Sequence, residues 1–230
     1  MRESGRTPSR PWRRHDLLHV AADIWASVLA CYPPLADLPL LRNWAQRGWP
    51  LIVRRRRAGE ERHVLPVGVP LPGRQRVALL IPASVAALQR SFPPSLNATA
   101  EVADRSWRST IDALLAVGVR SGVEPTAVGS LLWQHLTGLA YLSPHSDLDV
   151  LWPIPQGLDV LSLVFSIAEV QRKAPLRIDG EVIFPDGSAV NWRELWNVRR
   201  APGPGMVLAK TMEGVRLLHM ASLPGIGQPA

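Results

Sequence analysis

The stretch VGSLLWQHLTGLAYLSPHSDLDVLW, residues 128–152, contains the two patterns that decide the predicted fold. The pair Gly129-Ser130 stands at a predicted junction between a short strand and a helix. Asp147 and Asp149 then alternate with apolar residues in a predicted strand. Helix and strand patterns continue to alternate downstream, which is typical of an α/β core.

The acidic strand predicts a metal site. Alternate side chains of a strand point to the same face, so Asp147 and Asp149 project together. Leu151 and Trp152 continue the apolar character and indicate a buried strand. Two close carboxylates repel, and a divalent cation relieves that repulsion. Mg²⁺ (or Mn²⁺) suits the pair because it commonly takes one or two protein carboxylates and leaves other positions for substrate phosphates.

Neither pattern is decisive alone. Asp-x-Asp also occurs in surface strands and turns, and a Gly-Ser pair before a helix is also a tight turn with an N-cap. Together they are complementary, since a glycine lets the backbone approach a phosphate and the helix start offers free N–H donors. We therefore predict phosphoryl or nucleotidyl chemistry, with Gly129 and Ser130 binding substrate phosphates.

A third carboxylate is available on the next predicted strand, residues 176–184. This strand carries Asp179 and Glu181, whose spacing places both on one face. The sequence does not choose between them. We favour Asp179, which precedes Gly180, as a catalytic residue and the third metal ligand.

Positive charge is concentrated in the first part of the chain. The net charge is +7, and it divides into about +9 for residues 1–100 and about −2 for residues 101–230. This asymmetry indicates a basic face for an anionic partner. Arg54 and Arg55, in the run Arg54 to Arg57, are predicted substrate ligands, with a solvated strand end as the alternative. Lys210, in a predicted strand, is a further candidate.

The chain length and the position of a Pro-rich segment predict two lobes. Residues 1–14 are rich in Arg, Ser and Pro, lack the apolar region of a secretory signal, and are expected to form a flexible arm. A Pro-rich segment at 92–95 separates an N-terminal α+β lobe, 15–95, from a catalytic domain, 96–230. Helices are expected at 16–30, 38–47, 84–90 and 107–117, and N-terminal strands at 50–53, 63–69 and 76–80.

Composition limits the setting. No apolar run approaches the roughly 18 residues that a membrane-spanning helix needs, so no membrane association is expected. The lone Cys31 excludes an intramolecular disulfide and suits a reducing cytoplasm. A basic nucleic-acid-binding protein is the competing class, but its usual signatures are missing from the sequence, and nucleic acid is an unlikely partner.

The residues at 129–134, 136–138, 146–149 and 152 resemble the malonate decarboxylase holo-acyl-carrier-protein synthase family, also called phosphoribosyl-dephospho-CoA transferase. The order of Val-Gly-Ser, a helix, Asp-Leu-Asp-Val and a later acidic strand is similar to that of the polymerase-beta-like nucleotidyltransferase superfamily. Shorter matches extend the resemblance from about residue 12 to about residue 220 and are carried by residues 15–18, 179–181, 184–187, 210–211 and 214–215.

The resemblance implies a nucleotidyltransferase-like mixed sheet with flanking helices. It further implies transfer of a phosphoribosyl-dephospho-CoA group from 2'-(5-triphosphoribosyl)-3'-dephospho-CoA to a serine of the malonate decarboxylase acyl carrier protein, with release of pyrophosphate. Asp147 and Asp149 match the family's acidic pair. The roles of Asp179, His15 and the Arg run are not fixed by the match, and the same fold with a different acceptor stays an alternative.

Overall fold

The N-terminal lobe is built on a five-stranded antiparallel sheet. The computed structural model describes residues 10–86, 89–200, 205–224 and 226. Strand order in this sheet is β4-β3-β2-β1-β5. The strands are β1 Leu17–Leu18, β2 Leu51–Val53, β3 Val64–Pro70, β4 Arg76–Pro82 and β5 Arg90–Ser91. The helices of this lobe are α1 Ala22–Ala30, α2 Pro33–Ala36, α3 Pro39–Arg42 and α4 Ala83–Ala86.

The C-terminal lobe is built on a six-stranded mixed sheet with the order β11-β10-β9-β8-β7-β6. Its strands are β6 Thr126–Ala127, β7 Leu148–Pro153, β8 Ile178–Ile183, β9 Ala189–Asn191, β10 Met206–Lys210 and β11 Val215–His219. Its helices are α5 Leu96–Thr99, α6 Arg108–Ser121, α7 Gly129–Thr137, α8 Val160–Lys173 and α9 Trp192–Arg200.

One strand pair of the C-terminal sheet is parallel. Strands β7 and β8 run in the same direction, and the intervening helix α8 supplies the crossover that a parallel pair requires. The other pairs are antiparallel. The predicted α+β class and the predicted mixed sheet are therefore confirmed.

The first predicted helix is wrong at its start. The helix expected from residue 16 begins only at Ala22, because Leu17 and Leu18 form a strand that pairs with β2 on one side and β5 on the other. Both leucines are buried, and pairing with two neighbouring strands outweighs the helical spacing that links Leu17 to Val20 and Ile24. The helix predicted at 84–90 is also too long: α4 ends at Ala86, residues 87–88 lie outside the described residues, and β5 begins at Arg90.

Two hydrophobic clusters hold the molecule together. The first lies within the C-terminal lobe, between its sheet and helices such as α6 and α8. The second fills the N-terminal lobe but also includes four residues of the C-terminal lobe, Val128, Leu132, Trp133 and Leu151. The two lobes therefore share an apolar core, because one face of β7 and α7 packs against the N-terminal sheet.

The expectation of a flexible arm over residues 1–14 does not hold for residues 10–14. Arg10 Nη2 donates to Asp16 Oδ1 at 2.7 Å, and Arg13 Nη2 donates to the carbonyl of Pro185 at 2.8 Å. Arg14 forms an ion pair with Glu181. These bonds tie the segment to both lobes, while residues 1–9 lie outside the described residues.

None of the helices in the described ranges combines the length and the apolar character required to cross a bilayer.

Candidate active site

Three carboxylates lie on or beside the parallel strand pair. Strands β7 and β8 are in register with Asp149 opposite Asp179, and Asp147 immediately precedes β7. Leu151 lies on the same face as Asp149 and packs into the core shared with the N-terminal lobe. The acidic face of the pair is therefore turned toward the N-terminal lobe, while Val150 and Trp152 pack into the C-terminal core.

The electrostatics reflect this crowding. Burial raises the pKa of Asp149 to about 7, and the negative charges of Asp179 and Asp147 add to the rise. The positive charges of Arg76 and Arg177 oppose it. A carboxylic acid with such a pKa lies close to two other acids without enough positive charge to balance them.

Arg177 supplies part of the positive charge at the site. Its Nε lies 3.7 Å from Asp147 Oδ2, and its Nη2 lies 3.5 Å from Asp179 Oδ2. The guanidinium therefore links two of the three acids. Its side chain is 58% exposed and therefore remains in contact with solvent.

Asp179 is held in a fixed orientation. Its Oδ1 accepts a hydrogen bond from the backbone N–H of Gly180 and another from Asn191 Nδ2, each at 2.8 Å. These bonds leave Oδ2 as the oxygen that faces Arg177. Asn191 ends β9, the strand beside β8, so the C-terminal sheet itself positions the third acid.

Gly129 packs directly against the acidic residues. Its φ is +65°, and a Cβ atom at this position would lie 2.0 Å from Asp149 Oδ2. Only glycine fits, because any side chain would displace the carboxylate and would also strain the left-handed backbone. The predicted Gly-Ser element and the acidic strand are therefore brought together.

Ser130 lies in the first turn of α7. The N-cap residue of this helix is Val128, which makes no side-chain capping hydrogen bond, so Ser130 is not an N-cap. The backbone N–H of Val128 donates to the carbonyl of Asp149 at 3.0 Å, which fixes the helix start beside β7. The start of a helix is favourable for negatively charged ligands.

The donor set fits a magnesium-type ion in its chemistry. Within the described ranges, no group of three or more His, Cys, Asp or Glu side chains is arranged to hold a metal ion. Mg²⁺, however, needs only one or two protein carboxylates when substrate phosphates complete its coordination. Burial is the main cause of the raised pKa of Asp149, and the repulsion from Asp179 and Asp147 that adds to it is a charge imbalance that a cation would relieve.

Glu181 occupies a different environment from Asp179. Its carboxylate contacts Arg14 Nη2 at 3.0 Å, His15 Nε2 at 3.4 Å and Lys210 Nζ at 2.8 Å. Burial would raise its pKa, but the hydrogen bond with His15 and the positive charge of Arg14 outweigh burial and hold the pKa well below its usual range. Of the two candidates for the third acid, the structure brings Asp179 to the acidic pair.

The basic candidates divide into two groups. Lys210, on β10, contacts Glu181. Glu181 is two residues along β8 from Asp179. Arg54 instead forms a two-point ion pair with Glu60, at 2.9 and 2.6 Å, and donates to the carbonyl of Val67. The guanidinium of Arg54 is therefore committed within the N-terminal lobe, whereas Arg55 is exposed.

Sequence reasoning missed Arg14, Arg76, Arg177 and Asn191 as members of the site. Arg177 stands two residues before Asp179, and the period-2 rule of strands would have found it. The other three come from distant elements, and no local pattern marks them.

The protein is of the α+β class, and its site combines a glycine-led helix start with three neighbouring carboxylates. The family model for the phosphoribosyl-dephospho-CoA transferase MdcG N-terminal domain matches residues 13–94, and that for its C-terminal domain matches residues 95–221. The chain belongs to the phosphoribosyl-dephospho-CoA transferase family and is a transferase enzyme, as the sequence resemblance predicts.

Relatives named phosphoribosyl-dephospho-CoA transferase are similar over most of their length. The protein from Bradyrhizobium diazoefficiens is 40% identical over 213 residues, which cover 91% of this chain and 91% of the relative. That from Xanthomonas euvesicatoria is 37% identical over 215 residues, and that from Xanthomonas campestris is 35% identical over 214, each covering 91% of this chain and 95% of the relative. No solved structure matches the chain.

Proposed function

We propose that this enzyme transfers the phosphoribosyl-dephospho-CoA group from 2'-(5-triphosphoribosyl)-3'-dephospho-CoA to a serine of the malonate decarboxylase acyl carrier protein, and releases pyrophosphate. Membership of the transferase family supports the transferred group. One structural observation supports the chemistry: Asp149 lies in register with Asp179 and in contact with the start of α7 at Gly129.

Asp147 and Asp149 would hold Mg²⁺ or Mn²⁺, with donor phosphates completing the coordination. The alternative of Asp179 as a third metal ligand is not supported by a three-acid group among the described residues, so Asp179 is assigned to proton transfer. When bound, the ion offsets the charge of the donor phosphates and polarises the bond that breaks. Gly129, Ser130 and the free N–H groups at the start of α7 bind phosphate oxygens. Arg177 bridges the acids and adds positive charge at the point where negative charge builds up during transfer.

The transfer needs no further reactant, because the bond that forms is matched by the bond that breaks. The serine oxygen of the carrier protein forms a bond to the α-phosphorus of the donor. The bond from that phosphorus to the oxygen bridging the β-phosphate breaks, and pyrophosphate leaves. Asp179 takes up the serine proton, because the hydrogen bonds from Gly180 and Asn191 orient its carboxylate while its second oxygen remains outside those bonds.

Cytoplasmic conditions suit this role. The free Cys31 is exposed, and a reducing compartment keeps such a thiol from oxidation.

The test is reconstitution with the enzyme, the donor, Mg²⁺ and the purified apo carrier protein, followed by intact-protein mass spectrometry. The proposal predicts a mass gain equal to the phosphoribosyl-dephospho-CoA group, one pyrophosphate per modified carrier, and no gain when the acceptor serine is replaced by alanine. A carrier protein that stays unmodified beside a folded enzyme would refute the proposed acceptor.

A further inference from the structure

A cluster of cations surrounds one buried carboxylate on β8, beside the acidic site. The basic residues are Arg14, His15 and Lys210, and the carboxylate that they contact is that of Glu181. These four residues form the cation cluster. The Glu181 side chain is only 9% exposed, whereas Lys210 is 31% exposed and His15 is 22% exposed. The carboxylate therefore lies at the bottom of the cluster, and Lys210 and His15 are accessible from solvent.

The charges of the cluster do not cancel. One carboxylate faces two permanent cations, Arg14 and Lys210, so the cluster has a net positive charge even when His15 is neutral. In addition, Arg14 Nη1 is buried and has no hydrogen-bond partner among the residues that the structure describes. A buried N–H group without an acceptor is costly, and such a group marks a place where an acceptor from a ligand would be stabilised.

The cluster is within reach of a substrate held at the acidic site. Asp179 and Glu181 are two residues apart on one strand, which corresponds to about 7 Å between their Cα atoms. A phosphate chain bound near Asp149 and Asp179 spans that distance. Along β8, Asp179 therefore faces the acids of and beside β7, which repel phosphate unless a cation is present, and Glu181, two residues further, is surrounded by cations that attract phosphate.

The N-terminal segment is held in an unusual conformation at this point. His15 has a φ of +71°, which is rare for a residue other than glycine. The backbone N–H of His15 donates to the carbonyl of Val53, and the neighbouring Asp16 is buried and paired with Arg10. These contacts hold Arg14 and His15 over β8, and strained backbone of this kind is found at binding sites.

We propose that Arg14, His15 and Lys210 form a receptor for the terminal phosphates of the donor, the part that leaves as pyrophosphate. Glu181 acts as a positioning residue, because its carboxylate holds the three cations at the correct spacing. This inference rests on the proposed function, since it assumes a donor with a phosphate chain. It assigns to the segment before β1 a binding role that its sequence does not reveal.

The test is calorimetric binding of inorganic triphosphate to the full-length enzyme without divalent ions. Lys210→Met and Arg14→Gln should each weaken binding about tenfold, because each removes a charge-assisted hydrogen bond. Lys173→Met is the matched control: Lys173 is the only other lysine, is exposed at the end of α8, and should bind triphosphate like the parent.

Equal triphosphate affinity for the parent, Lys210→Met and Arg14→Gln would overturn the inference. The cluster would then only fasten the N-terminal segment, and thermal unfolding of the two variants would show lower stability as its single effect. Asp149→Asn separates this inference from the proposed function, because it should lose transfer while it keeps triphosphate binding. Failure of carrier modification with normal triphosphate binding would count against the proposed acceptor alone.

Discussion

At the scale of single residues, Asp149 is the acid of the site whose pKa is raised by burial and by neighbouring negative charges. Its pKa of about 7 compares with an ordinary value of 3.8, so the folded protein holds a proton that the unfolded chain has lost between these two pH values. By linkage, stability falls as pH rises from about 3.8 to about 7, and the loss is complete above pH 7. The free energy involved is about 4 kcal/mol at most.

We therefore expect that metal-free enzyme becomes less stable as pH rises across this range. Asp149→Asn should flatten the dependence, because the amide has no charge to repel Asp147 and Asp179. Added Mg²⁺ should restore part of the parent's stability near pH 8, since it binds the ionised form. Urea unfolding at several pH values, with EDTA or with Mg²⁺, measures this. Parallel pH profiles for parent and variant would contradict it.

Gly129 tests the contact between the helix start and the acid. Gly129→Ala should lower kcat at least a hundredfold, because the added Cβ would push Asp149 Oδ2 aside. Gly122→Ala is the matched control: Gly122 has nearly the same φ, +64°, but open space around its Cβ position. It should cost about 1–2 kcal/mol of stability and leave transfer rates unchanged. Similar kinetics for the two variants would show that this contact has no role.

At the scale of elements, β8 carries two environments of opposite charge. Asp179 faces the acidic pair, and Glu181 lies among cations. The two acids therefore differ in environment although the sequence places them in equivalent positions. Gly180 between them is required, because a Cβ there would lie 1.8 Å from the carbonyl oxygen of Val150 on β7.

This division predicts different kinetic effects for two conservative substitutions. Asp179→Asn should lower kcat by about a hundredfold or more with a small change in donor KM, because it removes a proton acceptor. Glu181→Gln should mainly raise the donor KM, because it disturbs the cations that bind the phosphate chain. Steady-state kinetics with varied donor give both parameters. A larger kcat loss for Glu181→Gln would reverse the two assignments.

Sequence patterns predict which residues of the site share one strand or helix. They do not predict which distant elements come together. Period-2 alternation predicts that Asp147 and Asp149 share a face, and the glycine at 129 marks the helix start. The register that sets Asp149 opposite Asp179 depends on how α8 returns the chain, which no local pattern encodes. Arg14 and Glu181 are 167 residues apart in sequence.

Tertiary contacts also explain the wrong or incomplete predictions. Leu17 begins an apolar pattern with helical spacing that continues at Val20 and Ile24, yet pairing on both sides makes Leu17–Leu18 a strand. Arg54 stands in a basic run that suggests a phosphate site, yet Glu60 occupies its donors. The strand partner of Leu17 is 35 residues away and lies outside a local pattern, whereas Glu60 is only six residues from Arg54, and the basic run alone does not show that they pair.

At the scale of the whole molecule, the shared core makes the two lobes dependent on each other. Leu132 belongs to the C-terminal lobe but is fully buried in the cluster that fills the N-terminal lobe. The turn after β10 adds contacts, since Arg56 donates its backbone N–H to the carbonyl of Met212 and pairs with Glu213. These contacts fix the position of the cation cluster relative to the acidic site.

We predict a single cooperative unfolding transition for the chain. Leu132→Ala should shift this transition as a whole by about 2–5 kcal/mol, because it opens a cavity between the lobes. Differential scanning calorimetry of parent and variant, with tryptophan fluorescence as a second probe, provides the measurement. Two separate transitions in the parent, of which the substitution moves only one, would disprove the coupling.

Group transfer should depend on the carboxylates at the start of β7, Asp147 and Asp149. The most direct measurement is single-turnover transfer to the carrier protein, followed by mass spectrometry, with the parent and the Asp147→Asn, Asp149→Asn double variant at saturating donor and Mg²⁺. The double variant should be folded by circular dichroism, at least as stable as the metal-free parent at pH 8, and slower by a factor of about a thousand or more. A folded double variant that modifies the carrier at nearly the parent rate would contradict the assignment of the active site.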